Sequence, residues 1–308
     1  MRIIDLHFDL LSYLAASVDH SPYDDNCFSV RELYAGNVTA VVLPVFSPSS
    51  LQSENELLKQ LSFFQALKKN EDFSSIKLFW AIENCSTFVG EEEDLELGFM
   101  RFYDAREHYG SPLYVSFTWN QKNRFGGGIE SSQGLTDDGK SLCGVLSERK
   151  ICVDLSHACD VLIDDILQCN IPVIASHSNF RSITDVPRNI RDEHAAEIVQ
   201  RGGIIGVNVI KPFVGDTKEH FFAHIEHALN NGWAKHIAIG ADFFSVDAVP
   251  KAERHRFIKS HFFQFWDRHR ILPEIIQEIA KRYGQDIARD IAWNNAISFF
   301  DLANVMSS

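Results

Sequence analysis

The chain predicts an α/β fold, a (β/α)8 TIM barrel of parallel strands with additional C-terminal helices, and three observations carry that prediction. Eight short apolar runs of strand length, rich in Val, Ile and Phe, recur along the 308 residues. Amphipathic stretches separate them, so the hydrophobic period alternates between strand and helix, as right-handed βαβ units on a parallel sheet require. The first run leads into Asp9-Leu-Leu-Ser-Tyr13, not into the glycine-rich turn with which an open doubly wound sheet would hold a nucleotide.

Taken in order, the first strand spans about 2–8 and holds Ile3-Ile4-Asp5-Leu6-His7, with Asp9 two residues on. A second at 38–46 is followed by a helix at about 53–69. The third, at 76–83, ends Leu78-Phe79-Trp80-Ala81-Ile82-Glu83 and precedes a helix at 95–109. Strand 112–118 leads to helix 137–150, and strand 151–156 ends in Asp154-Leu155-Ser156-His157 before helix 159–169. Strand 171–176 ends beside Ser176-His177 before helix 191–202; strand 203–209 precedes helix 217–231. The eighth strand, 236–242, ends Gly240-Ala241-Asp242, and a helical region runs from about 251 to 301. No Pro/Gly/Ser-rich linker divides the chain, so residues 1–308 are expected to form one barrel domain, within the size range of such barrels.

Composition narrows the function. The chain is 45% hydrophobic and 23% charged, as a soluble globular protein is, and 42 acidic against 29 basic residues give a formal charge of −13. With no Lys/Arg cluster, a nucleic-acid partner is not expected. The six cysteines lack C-x-x-C spacing in a chain far longer than a disulfide scaffold, and read as reduced thiols. No apolar run reaches the roughly 18–20 residues of a membrane span, and a strand beginning near Arg2 leaves no room for a secretory leader. The expectation is a cytoplasmic protein without a membrane partner.

Five strand ends carry side chains able to bind metal or move a proton, and a barrel brings them to the C-terminal face where such enzymes act. On an extended strand His7 and Asp9 would point to the same side and share one ion. His157 and His177 follow adjacent strands and suit a second ion, with Glu83 able to bridge the two. Imidazole with carboxylate suits Zn2+, with Mn2+ or Co2+ as substitutes. Two such ions would supply a bridging hydroxide as nucleophile, and Asp242 is placed to take its proton and return it to a leaving amine. One histidine or carboxylate at a strand end is ordinarily a hydrogen-bonded loop residue; joint placement singles these out. Asp5 and Asp154, inside strands, are expected to orient neighbours. His220 and His224 have the spacing of a zincin helix, but Phe221 stands where that motif needs Glu, so with His227 they read as structural. The aromatic stretch Phe257 to Trp266 reads as a helix packed on the barrel or on another subunit.

These residues stand in an order that resembles the membrane dipeptidase (renal dipeptidase) family, peptidase family M19, over almost the whole chain. The segments are Val153-Asp-Leu-Ser-His157, Pro172-Val-Ile-Ala-Ser-His-Ser-Asn179, Pro187-Arg-Asn189 and Gly202-Gly-Ile-Ile-Gly-Val-Asn208, with weaker matches at Asp5-Leu-His-Phe-Asp9, Phe117-Thr-Trp-Asn120 and Gly240-Ala-Asp-Phe243. The resemblance implies a zinc-dependent metallo-dipeptidase on a barrel of the metal-dependent hydrolase type, acting on a small dipeptide that can carry a D-residue at its C-terminal position. It assigns His7, Asp9 and Glu83 to one ion and Glu83, His157 and His177 to the other. Arg188 then holds the substrate carboxylate, and Asp242 lies by the metal-bound water. Trp119 stands where mammalian members have a substrate-contacting histidine, and Phe244-Ser245 where the family usually has Asp-Gly. Relatives often dimerise, so a homodimer is among the assemblies implied.

Two other functions fit a barrel with such strand ends less well. Another amidohydrolase-type enzyme, acting on a lactam, a lactone or a deaminase substrate, would usually open with His-x-His and often carry a bridging lysine on strand four; this chain has His-x-Asp and no lysine in Tyr114-Val-Ser-Phe-Thr-Trp119. A metal-binding but non-catalytic relative would be favoured by a lost ligand, and none is lost.

Overall fold

The computed structural model describes residues 1–49, 56–246, 254 and 261–302, the last three by their backbone alone. Eight parallel strands form one sheet: β1 (Ile3–Asp5), β2 (Val38–Phe46), β3 (Lys77–Glu83), β4 (Tyr114–Ser116), β5 (Cys152–Asp154), β6 (Val173–Ile174), β7 (Ile205–Val207) and β8 (Ile237–Ile239). Their order is β6-β5-β4-β3-β2-β1-β8-β7. A parallel bridge between Ala175 and Ile205 joins the two ends, with Gly206 N–H donating to Ala175 O at 2.7 Å, so the sheet closes on itself. Each strand overlaps one of the eight apolar runs.

Helices α1 (Leu10–Ala16) and α2 (Val30–Ala35) lie between β1 and β2. In turn, α3 (Glu56–Lys69), α4 (Leu95–Tyr109), α5 (Asp137–Glu148), α6 (Asp160–Leu167) and α7 (Asp192–Gln200) follow β2 to β6. After β7 come α8 (Lys211–Val214) and α9 (Lys218–Asn230), and after β8 come α10 (Leu272–Tyr283), α11 (Gln285–Arg289) and α12 (Asn295–Leu302). Side-chain caps help start α4, where Asp94 accepts from Glu96 N–H at 3.0 Å, and α5, where Thr136 accepts from Gly139 N–H at 3.0 Å.

Strand alternation divides the core in two. Ile4, Leu6, Val42, Ala81, Tyr114 and Ile174 pack together inside the barrel, while residues such as Val41, Val153 and Val207 face outward against the helices. Ala296 and Phe299 of α12 join the inner cluster, and Asn295 donates to Ala234 O and Ile237 O, both at 2.8 Å. That helix therefore stops the end of the barrel opposite the strand C-termini.

Two expectations need correction. The expected start of the helical region near 251 lies outside the described residues, but 261–268 are irregular, and continuous helix starts at Leu272, where Pro273 in the first turn sets the start. Residues 257–260 of the aromatic stretch lie outside the described residues; Phe263 and Trp266 are buried, with Trp266 edge-on to Phe221 at 5.6 Å, without forming a helix. The first strand also ends early, at Asp5, and Asp9 is the N-cap residue of α1. Among the described residues no helix is long and apolar enough to cross a membrane.

Candidate metal centre

The sequence-predicted residues meet at the C-terminal mouth of the barrel. Glu83, the last residue of β3, is almost fully buried and points its two oxygens at different partners. Oε1 lies 2.9 Å from His157 Nε2 and 3.7 Å from His177 Nε2, while Oε2 lies 3.6 Å from His7 Nε2. His7 Nε2 is in turn 3.5 Å from Asp9 Oδ1. The pairing of His7 with Asp9 thus survives the early end of β1, because the turn into α1 carries Asp9 back over the mouth. Donor atoms of His7, Asp9 and Asp242 all lie within 4.8 Å of one another, as do those of His7, Glu83 and His177.

Each imidazole is oriented by its other nitrogen, and the three anchors were not assigned from sequence. Tyr114 donates its hydroxyl hydrogen to Leu6 O at 3.0 Å, so its oxygen accepts from His7 Nδ1–H at 2.9 Å. Asn120 Oδ1 accepts from His157 Nδ1–H at 2.8 Å. Ser176 donates to Asp154 Oδ2 at 2.7 Å and accepts from His177 Nδ1–H at 2.6 Å. With Nδ1 carrying the proton, Nε2 of His157 and of His177 presents a lone pair toward Glu83, and Nε2 of His7 is turned to the same carboxylate.

His157 Nε2 and His177 Nε2 are then two acceptors only 3.0 Å apart, facing a third in Glu83 Oε1. Three acceptors so close repel one another unless a cation sits among them. On the other side, the buried His7 Nε2 and Asp9 Oδ1 have no hydrogen-bond partner among the described residues. The donor set, imidazole nitrogen with carboxylate oxygen, fits divalent metal on both sides of Glu83.

Electrostatics agree. Burial and then Arg188 push His157 down to about 4, and burial, His7 and Arg188 hold His177 well below the usual range, so both are neutral and able to serve as ligands. Burial alone would raise Glu83, but His7, His157 and His177 outweigh it and keep the carboxylate ionised. Burial also opposes charge on His7, yet Tyr114, Glu83 and Asp9 hold it well above its usual range: this side of the mouth draws positive charge. Burial, with Asp9 and Glu83 adding to it against His7 and Arg188, lifts Asp242 well above the usual carboxylate range.

The backbone is bent to bring these groups together. His157 and Asp242 sit at φ 69° and 62°, in the left-handed region that non-glycine residues rarely occupy. Gly206 and Gly240 flank the Ser176 carbonyl so closely that a Cβ on either would lie 1.9 or 2.0 Å from its oxygen, which explains the glycines of those two segments. Asp5 and Asp154 act as expected. Asp5 Oδ1 accepts from His7 N–H and Ala241 N–H at 3.2 and 2.8 Å, and Asp154 Oδ1 from Ser156 N–H and Ser176 N–H at 3.1 and 2.7 Å.

Arg188 is 4% exposed, and one edge of its guanidinium, Nε and Nη2, has no hydrogen-bond partner among the described residues; Nη1 donates to Ser178 Oγ at 2.9 Å. An unpaired fork edge in so buried a place suits a carboxylate brought in by a ligand. Trp119 stands 6.1 Å from His157, ring centre to ring centre, and with Phe46, Ile210, Phe213 and Phe244 lines a cavity of about 120 Å3 that opens beside Glu83 and Asp242. The zincin-like histidines are apart from this: His224 accepts from Phe180 N–H and contacts Val214 O, and His227 pairs with Asp192.

Residues 1–307 match the family model described as Membrane dipeptidase (Peptidase family M19). An uncharacterized protein of Klebsiella pneumoniae is 31% identical over 182 residues, 54% of this chain and 64% of that protein, just under two thirds. An uncharacterized dipeptidase of Schizosaccharomyces pombe is 23% identical over 81% of this chain and 71% of its own length. Among solved structures, a metallo peptidase of Rhodobacter sphaeroides, liganded with a phosphinate mimic of the dipeptide L-Ala-D-Ala, superposes with a TM-score of 0.80 at 18% identity. That alignment covers 98% of this chain and 99% of the other, and establishes the shared fold.

Proposed function

The chain belongs to peptidase family M19, the membrane dipeptidases, and on that premise we propose that it hydrolyses the peptide bond of dipeptides free at both ends, tolerating a D-residue at the C-terminal position. The observation that carries this reading is the cluster of acceptors around Glu83, with His157 and His177 against one carboxylate oxygen and His7 and Asp9 against the other. His7, Asp9 and Glu83 would hold one zinc ion and Glu83, His157 and His177 a second, with manganese or cobalt as substitutes. When bound, such ions polarise a carbonyl and make water acidic enough to attack near neutral pH.

The chain's own residues do the rest. The free edge of Arg188 takes the C-terminal carboxylate through paired N–H donors, setting which bond lies over Glu83. An Asp242 oxygen accepts the proton of the attacking water and passes it to the leaving amine, a task helped by a raised carboxyl pKa. Trp119, Phe46 and Phe244 exclude water from the apolar side of the cavity. Tolerance for a D-residue is supported by the L-Ala-D-Ala mimic bound to the Rhodobacter relative. The test is a panel of L-L and L-D dipeptides given to zinc-loaded protein, with C-terminally amidated dipeptides as controls. Turnover of the free dipeptides and not of the amides is expected; no turnover of any, at full metal occupancy, rejects the reading.

A further inference from the structure

His269 and Asp5 are 264 positions apart in sequence, and both are completely buried. His269 Nε2 lies 2.8 Å from Asp5 Oδ2, while the other oxygen of Asp5 holds the backbone N–H groups of His7 and Ala241. The same imidazole is wedged between the residues that follow the two site residues. The ring of Phe8 meets it edge to face at 4.4 Å and that of Phe243 at 4.8 Å, and Phe8 and Phe243 are themselves joined by a parallel bridge. Its seat is built for close approach: a Cβ on Gly36, which ends α2, would lie 2.5 Å from the His269 carbonyl oxygen. His269 therefore touches Asp5, Phe8 and Phe243, and through them controls where His7 and Asp242 stand, without itself reaching the mouth.

We propose that His269 is a positioning residue for the His7–Asp242 side of the centre, acting through Asp5, and that the segment leading into α10 is a working part of the site. The inference rests on the metal-centre reading for its consequence, though not for the geometry. Partners that orient metal-binding groups commonly change affinity by about 10- to 100-fold when lost.

Two variants separate the hydrogen bond from the packing. His269→Gln keeps an N–H donor at about the reach of Nε2, whereas His269→Phe keeps a flat ring between Phe8 and Phe243 and has no donor. Each full-length protein is compared with the wild type by thermal midpoint, by amide hydrogen exchange of metal-free protein across residues 3–10 and 237–246, and by Co2+ affinity against a competing chelator. For His269→Phe the expectation is a folded protein with faster exchange in both segments and Co2+ held about 10- to 100-fold more weakly, with His269→Gln within about threefold of wild type. A folded His269→Phe protein that matches the wild type in exchange and Co2+ affinity would overturn the proposal and leave His269 as core packing. So would a His269→Gln protein as impaired as His269→Phe. Should His269→Phe fail to fold, His269→Asn, whose shorter amide falls short of Asp5, takes its place in the comparison. A wild-type protein that binds no Co2+ defeats the metal reading instead, and the exchange measurements still decide whether His269 orders the two segments.

Discussion

The two halves of the barrel mouth are fastened by the same device with different endings. On the β5–β6 side, Asp154 bridges the two strand ends through Ser156 N–H and Ser176 N–H, and its second oxygen takes the hydroxyls of Ser116 and Ser176, each at 2.7 Å. On the β1–β8 side, Asp5 bridges the strand ends through His7 N–H and Ala241 N–H, and its second oxygen takes His269. The Asp154 chain ends on a candidate ligand, because Ser176 also fixes the tautomer of His177. The Asp5 chain ends on a residue that binds nothing further: His269 Nδ1 has no partner among the described residues. One carboxylate thus sets which nitrogen of a candidate ligand is bare, and the other sets only where backbone lies.

Removing what the halves share should have the largest effect. Glu83→Ala is expected to lower dipeptide hydrolysis by at least about 10³-fold and to leave fewer than two ions per chain, read by kinetics and elemental analysis. Retention of two ions would mean that the halves do not meet at Glu83.

Next comes the contrast between the halves. In Asp154→Asn an amide N–H faces Ser176, whose hydroxyl then turns its hydrogen toward His177 Nδ1 and drives the proton to Nε2, the wrong side for a ligand. We expect a metal affinity about 10- to 100-fold lower at that half, with the tautomer change visible in the 15N shifts of His177. Asp5→Asn keeps an oxygen for its two amides, and His269 can exchange tautomers without losing a partner, so its effect should be about tenfold smaller than that of Asp154→Asn. Equal losses would erase the distinction.

Arg188→Lys tests a neighbour of both halves. A lysine cannot form the paired bonds of the fork, so kcat/KM for free dipeptides should fall by about 10- to 100-fold, mostly through KM, with metal content unchanged. Loss of metal in this variant would move Arg188 from substrate binding into the architecture of the centre.

The smallest effect lies outside the mouth and separates acid loss of metal from acid unfolding. Burial pushes His224 down to about 4, below the roughly 6.5 of an unfolded histidine. Between those values the unfolded chain binds more protons, so stability present above about pH 6.5 is lost as pH falls through about 4. His224's share of the decline should reach at most about 3 kcal/mol in urea unfolding of metal-free protein, and His224→Gln should remove that share while the shares of His157 and His177 remain.

How much of this was legible in the sequence follows the same division. The β5–β6 half is written locally, since Asp154, Ser156 and His157 fall within four positions and Ser176 adjoins His177. The alternation of strand and helix placed every strand, and the strand ends named all five candidate ligands and Asp242, because barrel closure makes sequence distance irrelevant at the mouth. His269 was out of reach: nothing near it in sequence distinguishes it from other histidines, and its partner lies at the opposite end of the chain. The extended geometry expected from His7 to Asp9 does not hold, because local pattern does not show where Asp5 turns its carboxylate onto the backbone and ends β1. Tyr114 and Asn120 lay within segments already singled out, but their roles depend on hydrogen bonds across the barrel.

On the proposed reading, the acceptors around Glu83 hold two ions that serve peptide-bond hydrolysis. Metal-stripped protein titrated with Zn2+ while L-L and L-D dipeptide hydrolysis is followed tests it most directly. Activity should rise with added ion and level off at two per chain. A folded protein that takes up two ions and cleaves none of the dipeptides, or that reaches full activity with no ion bound, would contradict it.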